Sequence, residues 1–370
     1  MQDNKIFNEL FVLELANNHW GNMQRGLKII HDYANVVQKN KIKASIKFQF
    51  RNVKEFIHPE YYLEEEIRYV DKTRRTEISW ANMKKMITAV SNQGMLTMAT
   101  PFDEYSVKKC IDFDLDIIKI ASSDVKDKNL VSLIGKAGKP VIASSGGCLL
   151  EDIDWIVNHF KNINVPFALN HCVSLYPSED KDLQLNQIDF LRNRYPEITI
   201  GFSSHEYTSW DYSIMIAYAK GARTFERHID IDHENVPISK YCSLPEQADV
   251  WFKAFHKAKE MCGGVADSRR NVSAKERVYL DELVRGVYAK KDLSAGYVFS
   301  SETFDDDFYL AIPLHKGQLS CREIINGEKL TRSLETDQLL TVDDIDGPYS
   351  ENESLRQSIL NRGCDYNSVN

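Results

Sequence analysis

Ionisable side chains crowd the end of one apolar segment of this sequence. Residues 224–230 read TFERHID, in which Phe225 suits a buried strand while Glu226, Arg227 and His228 carry ionisable groups. Charge at a strand end is costly to bury unless it is paired, bound to a metal or directed at a ligand. The segment therefore predicts a strand that delivers functional side chains to a site.

Several other apolar segments place polar side chains two residues apart, which puts both on one face of a strand. Two lysines among hydroxyl groups could hold a phosphoryl group, and two histidines could ligate a divalent metal ion with positions left for water or substrate. In the structural alternative, the lysines pair with Glu14 or Glu226 and each histidine is a hydrogen-bonded core residue. The candidates are Glu14, Lys47 with Gln49, Thr100, Lys119, Ser122, Ser144, Ser203 with His205, and Glu226 with His228.

The chain has eight short segments rich in β-branched residues, seven of which supply these positions, and helical patterns lie between the segments at residues 23–40, 79–94 and 132–139. Such alternation predicts parallel strands with crossover helices. An open doubly wound sheet would alternate in the same way, but the count of eight and the lack of a G-x-G-x-x-G turn favour an α/β fold of the (β/α)8 TIM-barrel type. The candidates then meet at the carboxyl ends of the strands. The segments are residues 11–18, 44–50, 95–102, 116–123, 139–147, 166–174, 198–206 and 224–230.

The pattern changes after the eighth segment. We expect residues 1–264 to form the barrel and residues 265–284 to form a polar linker. Short, turn-rich runs over residues 285–346 predict a small β-rich domain. The polar residues 347–370 are expected to form a frayed tail.

Composition limits the classes of function. The 370-residue chain has a net charge of −8, which argues against a nucleic-acid groove. It has no secretory signal and no apolar run long enough to span a membrane, so we expect a cytoplasmic protein without a membrane partner. Its seven cysteines are expected to be reduced thiols. His171 and Cys172 are sequence neighbours that point to opposite strand faces, which disfavours a thiol nucleophile.

Eight motifs lie at the ends of the eight predicted strands, and together they resemble the sialic acid synthase (N-acetylneuraminate synthase) family. The likeness extends over nearly the whole chain. The small domain, with VYAKKDLSAGYVFSSETF, is similar to the C-terminal SAF or antifreeze-like domain of that family. The motifs are ELANNHWGN, IKFQF, ATPFDEYSV, DIIKIASSDV, GKPVIASSGG, LNHCVSLYPS, GFSSHE and ERHI.

The resemblance implies condensation of phosphoenolpyruvate with the open-chain aldehyde of an amino sugar such as N-acetylmannosamine. The products are a nine-carbon 2-keto-3-deoxy acid and phosphate. It also implies a Mn²⁺ or Mg²⁺ ion on His205 and His228, which polarises the aldehyde, and Glu14 acting on the attacking water. In the same likeness, Gln49 and Tyr176 face the sugar. The residues that hold the enol phosphate are Lys47, Thr100, Lys119, Ser122, Ser144 and Ser203.

This sequence departs from the family pattern on the sugar side. The loop after the eighth strand has Ser239 where the family carries an Asp that handles the sugar. Ser174 replaces an Asn, and Asp124 replaces a Glu. The small domain reads AIPLHKGQLS where the family has an Arg-containing loop that reaches the partner subunit. We expect a domain-swapped homodimer in which Lys316 approaches the partner's sugar site.

Two other functions stay open at this point. One is a 3-deoxy-ulosonate synthase for a different aldose, which the SAF-like domain disfavours. The other is a catalytically silent paralogue that binds a sugar. The missing loop Asp favours that reading, whereas the retained Glu14, Lys47, Lys119, His205 and His228 oppose it.

Overall fold

Eight buried segments form the parallel strands of a closed barrel in the computed structural model, which describes residues 4–264, 268–323 and 327–365. The strands pair in chain order, and the eighth strand closes on the first. The (β/α)8 barrel is therefore confirmed, with a strand in each of the eight predicted segments. The strands are β1 (Leu10–Ala16), β2 (Ala44–Phe50), β3 (Leu96–Pro101), β4 (Ile117–Ile120), β5 (Val141–Ser144), β6 (Phe167–Cys172), β7 (Thr199–Ser204) and β8 (Thr224–His228).

Helices connect successive strands of the barrel. Within the ranges that the structure describes, no helix is both long and apolar enough to cross a lipid bilayer. Short 3-10 turns occur at Asn4–Phe7, Pro59–Tyr61, Ser122–Asp124 and Asp180–Asp182. The helices are α1 (Met23–Asn40), α2 (Val53–Phe56), α3 (Arg68–Arg75), α4 (Trp80–Asn92), α5 (Glu104–Asp112), α6 (Lys128–Lys136), α7 (Leu150–Asn162), α8 (Asn186–Arg194), α9 (Trp210–Ala219) and α10 (Pro245–Cys262).

Local signals set the bounds of α1, which begins and ends where the sequence predicts. The side chain of Asn22 accepts hydrogen bonds from the backbone N–H groups of Gln24 and Arg25 and so caps the helix. Lys41 adopts the left-handed conformation that ends it.

The inward face of the barrel changes from apolar to polar along the strands. An apolar layer fills the lower part of the barrel and consists of Phe7, Leu10, Val12, Met98, Ile117, Ile142 and Ala168. Side chains two residues further along a strand point the same way, so the next layer is the one that meets ligands. It contains Glu14, Thr100, Lys119 and Ser144.

A buried ion pair joins the ends of β7 and β8. Arg227 Nη1 lies 2.9 Å from Glu206 Oε1, and the two side chains are 2% and 0% exposed. The guanidinium also donates to the hydroxyls of Ser204 and Ser243. Arg227 thus fixes the two strand ends that carry the predicted histidines.

A second buried ion pair explains Asp230. Arg25 Nη2 of α1 lies 2.6 Å from Asp230 Oδ1, and both side chains are fully enclosed. Arg25 also donates to the backbone oxygens of Asn18, Ile231 and His233. Of the ionisable residues in 224–230, Arg227 and Asp230 therefore form structural ion pairs. Glu226 and His228 lie at the barrel mouth.

Residues from Gly264 onward form a second compact unit, distinct from the unit that ends at Gly263. Strands β9 and β10 pair antiparallel, as do β11 and β12. The likeness of this unit to an SAF domain stays a prediction. Its elements are α11 (Ala274–Asp281), β9 (Gly286–Ala289), α12 (Phe304–Asp307), β10 (Phe308–Ala311), β11 (Lys329–Leu330), a 3-10 turn at Val342–Asp344, β12 (Ile345–Asp346), α13 (Pro348–Glu351) and α14 (Glu353–Leu360).

Helices occupy part of both segments that we expected to be a linker and a frayed tail, residues 265–284 and 347–370. The expected linker contains α11, and Asp281 bonds Arg322 (3.1 Å) and the backbone N–H of Gly363 (3.0 Å). The expected frayed tail contains α14, whose Ile359 packs in the core of the second unit. A short helix can cover a small core with few apolar residues. The mostly polar sequence of α14 therefore does not reveal the helix. Residues 265–267 and 366–370 of these segments lie outside the described residues.

Replacing Ile359 with Ala tests whether α14 belongs to the folded unit. Loss of a buried aliphatic side chain is expected to cost about 2–4 kcal/mol, and Ile359 is 1% exposed. Hydrogen–deuterium exchange across β9 and β10 should accelerate accordingly. The control Leu355→Ala, at a side chain 40% exposed, should change exchange little. Equal effects of the two variants would contradict a core role for Ile359.

Replacing Arg227 with Met tests the buried ion pair. The variant leaves Glu206 charged and enclosed without its partner, which is expected to cost about 3–5 kcal/mol of unfolding free energy. The double variant Arg227→Met/Glu206→Met should recover much of that loss. Lys161→Met, which breaks the exposed pair with Glu197, should cost less than about 1 kcal/mol. A single-variant loss no larger than this control, measured by urea denaturation, would refute the strand-joining role.

Candidate active site

A cavity of about 620 Å³ opens at the carboxyl ends of the barrel strands. This volume lies in the range of small-molecule sites. Twelve of the fourteen predicted site residues line it together, as the sequence predicts for one end of a barrel. They are Glu14, Lys47, Gln49, Thr100, Lys119, Ser122, Ser144, Tyr176, Ser203, His205, Glu226 and His228.

Two lysines and two glutamates form a buried charge cluster at this cavity. Lys47 Nζ lies 2.9 Å from Glu14 Oε2 and 3.0 Å from Glu226 Oε1. Lys119 Nζ lies 3.1 Å from Glu226 Oε1, which also accepts the Ser203 hydroxyl at 3.1 Å. Both lysines are thus paired with Glu14 or Glu226, as predicted if they have a structural role. Their side chains nevertheless line the cavity.

Burial and neighbouring charges shift the pKa values of this cluster in different directions. Burial raises the pKa of Glu14. Burial opposes the charge of Glu226, but Lys119 and Lys47 outweigh it and lower the pKa of that carboxyl. Burial likewise opposes the charge of Lys47, yet Glu14 and Glu226 raise its pKa. Glu226 is therefore the fixed anion, and Glu14 is the carboxylate better suited to take a proton.

A chain of side-chain hydrogen bonds leads from Glu14 towards the mouth. Gln49 Nε2 donates to Glu14 Oε1 at 2.9 Å. Arg51 Nη1 in turn donates to Gln49 Oε1 at 3.0 Å. These contacts fix the orientation of the Gln49 amide, since its oxygen faces Arg51 and its nitrogen faces Glu14.

Two histidines lie beside the charge cluster at the ends of β7 and β8. The imidazole centroids of His205 and His228 are 5.5 Å apart. Burial lowers the pKa of His205 to about 4 and that of His228 well below its usual value. His205 Nδ1 lies 2.9 Å from the backbone oxygen of Val173, so its Nε2 is the nitrogen left for a ligand. Both rings are neutral at physiological pH, the form in which imidazole ligates a metal.

The protein ligands for a metal would be few. Within the described ranges, no group of three or more His, Cys, Asp or Glu side chains is arranged to hold a metal ion. Glu226 Oε2 is buried without a hydrogen-bond partner among those residues. An ion held by the two histidines would therefore take its remaining ligands from water or substrate.

Small groups at β4 and β5 form a cradle on the cavity wall. The backbone N–H of Gly146 donates to Ser122 Oγ at 2.9 Å. A Cβ atom at Gly146 would collide with the Ser174 hydroxyl, so glycine keeps this wall open. Ser144 Oγ is buried and has no partner among the described residues. An orphaned hydroxyl in such a cradle is a donor available to a bound anion.

The remaining two predicted site residues do not line the cavity. Ser239 is half-buried and lies two residues before Tyr241, whose ring does line the cavity. Lys316 belongs to the second unit and is exposed. Sugar contacts by these two residues stay predictions.

The cavity contains functional side chains that the sequence analysis missed. Tyr241 lies near both histidines, with its ring centroid 5.0 Å from that of His228. Arg51 continues the inward face of β2 beyond Lys47 and Gln49, so its period-two spacing was a usable signal. Arg68 and Lys72 of α3 also line the cavity, but their helical spacing resembles that of any solvated surface.

Cys172 lines the cavity without the features of a nucleophile. Burial raises the pKa of its thiol, and His171 instead bonds the backbone oxygen of Leu183 at 2.7 Å. The absence of a Cys–His pair agrees with the expectation from strand alternation.

Similar proteins share both the sequence pattern and the barrel. Pseudaminic acid synthase from Campylobacter jejuni is 28% identical over 313 residues, which cover 81% of this chain and 86% of that protein. A structure from Chromobacterium violaceum, assigned to spore coat polysaccharide biosynthesis protein E, has a TM-score of 0.86 and 32% identity. It covers 92% of this chain and 100% of its own. N-acetylneuraminic acid synthetase from Leptospira borgpetersenii has a TM-score of 0.64 and 26% identity, over 73% and 89% of the two chains.

The family model agrees with these likenesses. It matches residues 37–265, which include seven of the eight barrel strands and both histidines. The motifs at the strand ends, the closed barrel and this match lead to one conclusion. The chain belongs to the NeuB family, the sialic acid synthase family.

Proposed function

We propose that this protein condenses phosphoenolpyruvate with the open-chain aldehyde of an amino sugar, giving a sialic-acid-like 2-keto-3-deoxy acid and phosphate. The observation that carries the proposal is the buried cluster of Glu14, Lys47, Lys119 and Glu226 beside two neutral histidines. Lysines suit an anionic enol phosphate, whereas neutral imidazoles suit a Lewis acid. The family's synthases support the same chemistry.

In this mechanism the enol phosphate binds Lys47 and Lys119 with the hydroxyls of Thr100, Ser122, Ser144 and Ser203. Its C3 forms a bond to the aldehyde carbon of the sugar while the π bond of the aldehyde C=O breaks, and the aldehyde oxygen becomes a hydroxyl by taking a proton. Water adds at C2 and gives one proton to Glu14, whose pKa burial has raised, and this proton replaces the one that the aldehyde oxygen takes. The C2–O bond to phosphate then breaks, the second proton of the water leaves with phosphate, and the 2-keto group forms. Glu226 keeps both lysines in place throughout.

We propose that His205 and His228 hold a divalent ion, Mn²⁺ or Mg²⁺. Their neutral rings and 5.5 Å separation fit one shared ion. Glu226 Oε2, buried without a partner among the described residues, could receive an ion-bound water or a sugar hydroxyl. When bound, such an ion polarises the aldehyde oxygen as a Lewis acid. Tyr176 and Gln49 would orient the sugar.

The family resemblance also leads us to propose a two-fold homodimer in which the second unit serves the partner's barrel. Lys316 is exposed on that unit, so its ammonium is accessible to a partner. We propose a cytoplasmic location, since the seven cysteines are free thiols that suit a reducing compartment.

Phosphate release from phosphoenolpyruvate tests the proposed reaction and its metal requirement. With Mn²⁺ and a panel of amino-sugar aldoses, we expect release that depends on the aldose and stops in excess chelator. His205→Ala and His228→Ala should reduce kcat by at least about 100-fold, while His31→Ala, at an exposed helix position, should not. Aldose-independent release, or full turnover in chelator, would contradict the proposal. Turnover only with shorter aldoses would indicate the alternative ulosonate synthase.

Replacing Lys119 with Met tests the enol-phosphate contact. A charge-assisted bond contributes about 1.5–3 kcal/mol, so the KM for phosphoenolpyruvate should rise about 10- to 150-fold. The KM for the aldose should change far less. Lys161→Met, at an exposed helical lysine, is the control. Equal increases in both KM values would assign Lys119 a structural role only.

A further inference from the structure

One wall of the active-site cavity carries three cationic side chains. Arg51, Arg68 and Lys72 all line the cavity. Among the described residues, none of the three has a carboxylate within 4 Å, whereas Lys47 and Lys119 are both ion-paired. We call these three residues the cationic wall.

Arg51 is held in a fixed orientation. Its guanidinium carbon lies 3.7 Å from the ring centroid of Phe102 and 5.5 Å from that of Phe56. Nη1 donates to Gln49, while Nε is buried and has no partner among the described residues. A buried, oriented guanidinium with an unused donor is a preformed anion contact.

The other two cationic side chains, Arg68 and Lys72, lie on α3 and add positive charge to the same wall of the cavity. Arg68 and Lys72 are four residues apart, so they share one helix face. Burial lowers the pKa of Lys72, and the charges of Arg68 and Arg51 lower it further. Like charges at this spacing destabilise a helix. A negatively charged ligand bound beside Arg68 and Lys72 would offset the repulsion between them.

The charges around the cavity do not balance. Five cationic side chains and three carboxylates line it, an excess of two positive charges in a chain whose net charge is −8. Glu14 and Glu226 are already paired with Lys47 and Lys119. The excess therefore belongs to the cationic wall, where Asp124 is the one remaining lining carboxylate among the described residues.

The cationic wall lies towards the mouth, on the sugar side of the proposed site. Lys47, Gln49 and Arg51 follow one another on the inward face of β2. At ~3.3 Å per residue, the Arg51 backbone lies about 13 Å beyond that of Lys47. Arg68 lines the same cavity as Tyr241, which follows Ser239 by two residues. A neutral serine thus occupies the loop position where the sequence likeness predicts an Asp.

We propose that the aldose substrate carries a negatively charged group, a phosphate or a carboxylate, at the end remote from its aldehyde, and that the cationic wall binds it. The inference rests on the proposed condensation reaction, because that reaction defines the direction in which the sugar lies in the cavity. It makes Arg51, Arg68 and Lys72 determinants of specificity for that substrate.

Calorimetric binding in the presence of Mg²⁺ tests the anion site separately from turnover. The probes are N-acetylmannosamine, its 6-phosphate and the corresponding 6-carboxylate (N-acetylmannosaminuronate). At least one anionic probe should bind 10-fold or more tightly than the neutral sugar, and comparing the two identifies the anion. Arg68→Gln/Lys72→Met should remove that preference. Lys54→Met, an exposed lysine on the nearby α2, should keep it. Equal binding of all three probes, or none by the anionic ones, would overturn the proposal.

Kinetics of the same variants separate the sugar anion from phosphoenolpyruvate itself. With the preferred aldose, Arg68→Gln/Lys72→Met should lower kcat/KM for the sugar at least 10-fold and change the KM for phosphoenolpyruvate less than about threefold. A larger change for phosphoenolpyruvate would overturn the proposal, because the cationic wall would then serve that substrate. An anion preference in binding without phosphate release from any aldose would support the anion site and contradict the proposed reaction.

Discussion

One carboxylate oxygen organises the barrel mouth. Glu226 Oε1 accepts both lysine ammonium groups and the Ser203 hydroxyl at 3.0–3.1 Å. Buried lysines without a counter-charge would lose their protons or destabilise the fold. Burial opposes the charge of both lysines and Glu226 favours it, although the pKa of Lys119 is still lowered. The contacts proposed between the enol phosphate and Lys47, Lys119 and Ser203 depend on this anion.

The barrel limits the energetic cost of this buried charge cluster by keeping its inward-facing polar groups in one layer. An apolar layer that includes Val12, Met98 and Ile142 fills the barrel beneath the charge cluster. On the outer side, Arg227–Glu206 and Arg25–Asp230 form buried ion pairs. Several buried polar atoms without a partner among the described residues, such as Ser144 Oγ and Glu226 Oε2, belong to residues that line the cavity, where a ligand can satisfy them.

Strand periodicity made much of this structure predictable. The eight segments, the bounds of α1 and the inward face shared by Glu226 and His228 follow from periods of 2 and 3.6 residues. Barrel closure then brings Glu14 beside His228, because β1 pairs with β8 in that register. Side chains from seven separate segments could therefore be assigned to one end of the barrel from their spacing.

Other features depend on contacts that no local pattern encodes. Which carboxylate each lysine meets follows from side-chain conformation across the barrel, as for Lys47 between Glu14 and Glu226. Arg68 and Lys72 have the spacing of surface residues, and only the fold shows that they line the cavity. The polar composition around Ile359 hid a helix that covers the core of the second unit.

In the proposed reaction, water attacks C2 of the enol phosphate beside Glu14, so that the C–O bond breaks. Phosphoenolpyruvate labelled with ¹⁸O at the bridging oxygen can test this step, with the released phosphate analysed by ³¹P NMR. We expect the label to leave with phosphate and unlabelled solvent oxygen to appear in the keto acid. Label retained in the keto acid would show P–O cleavage and contradict the proposed attack at C2.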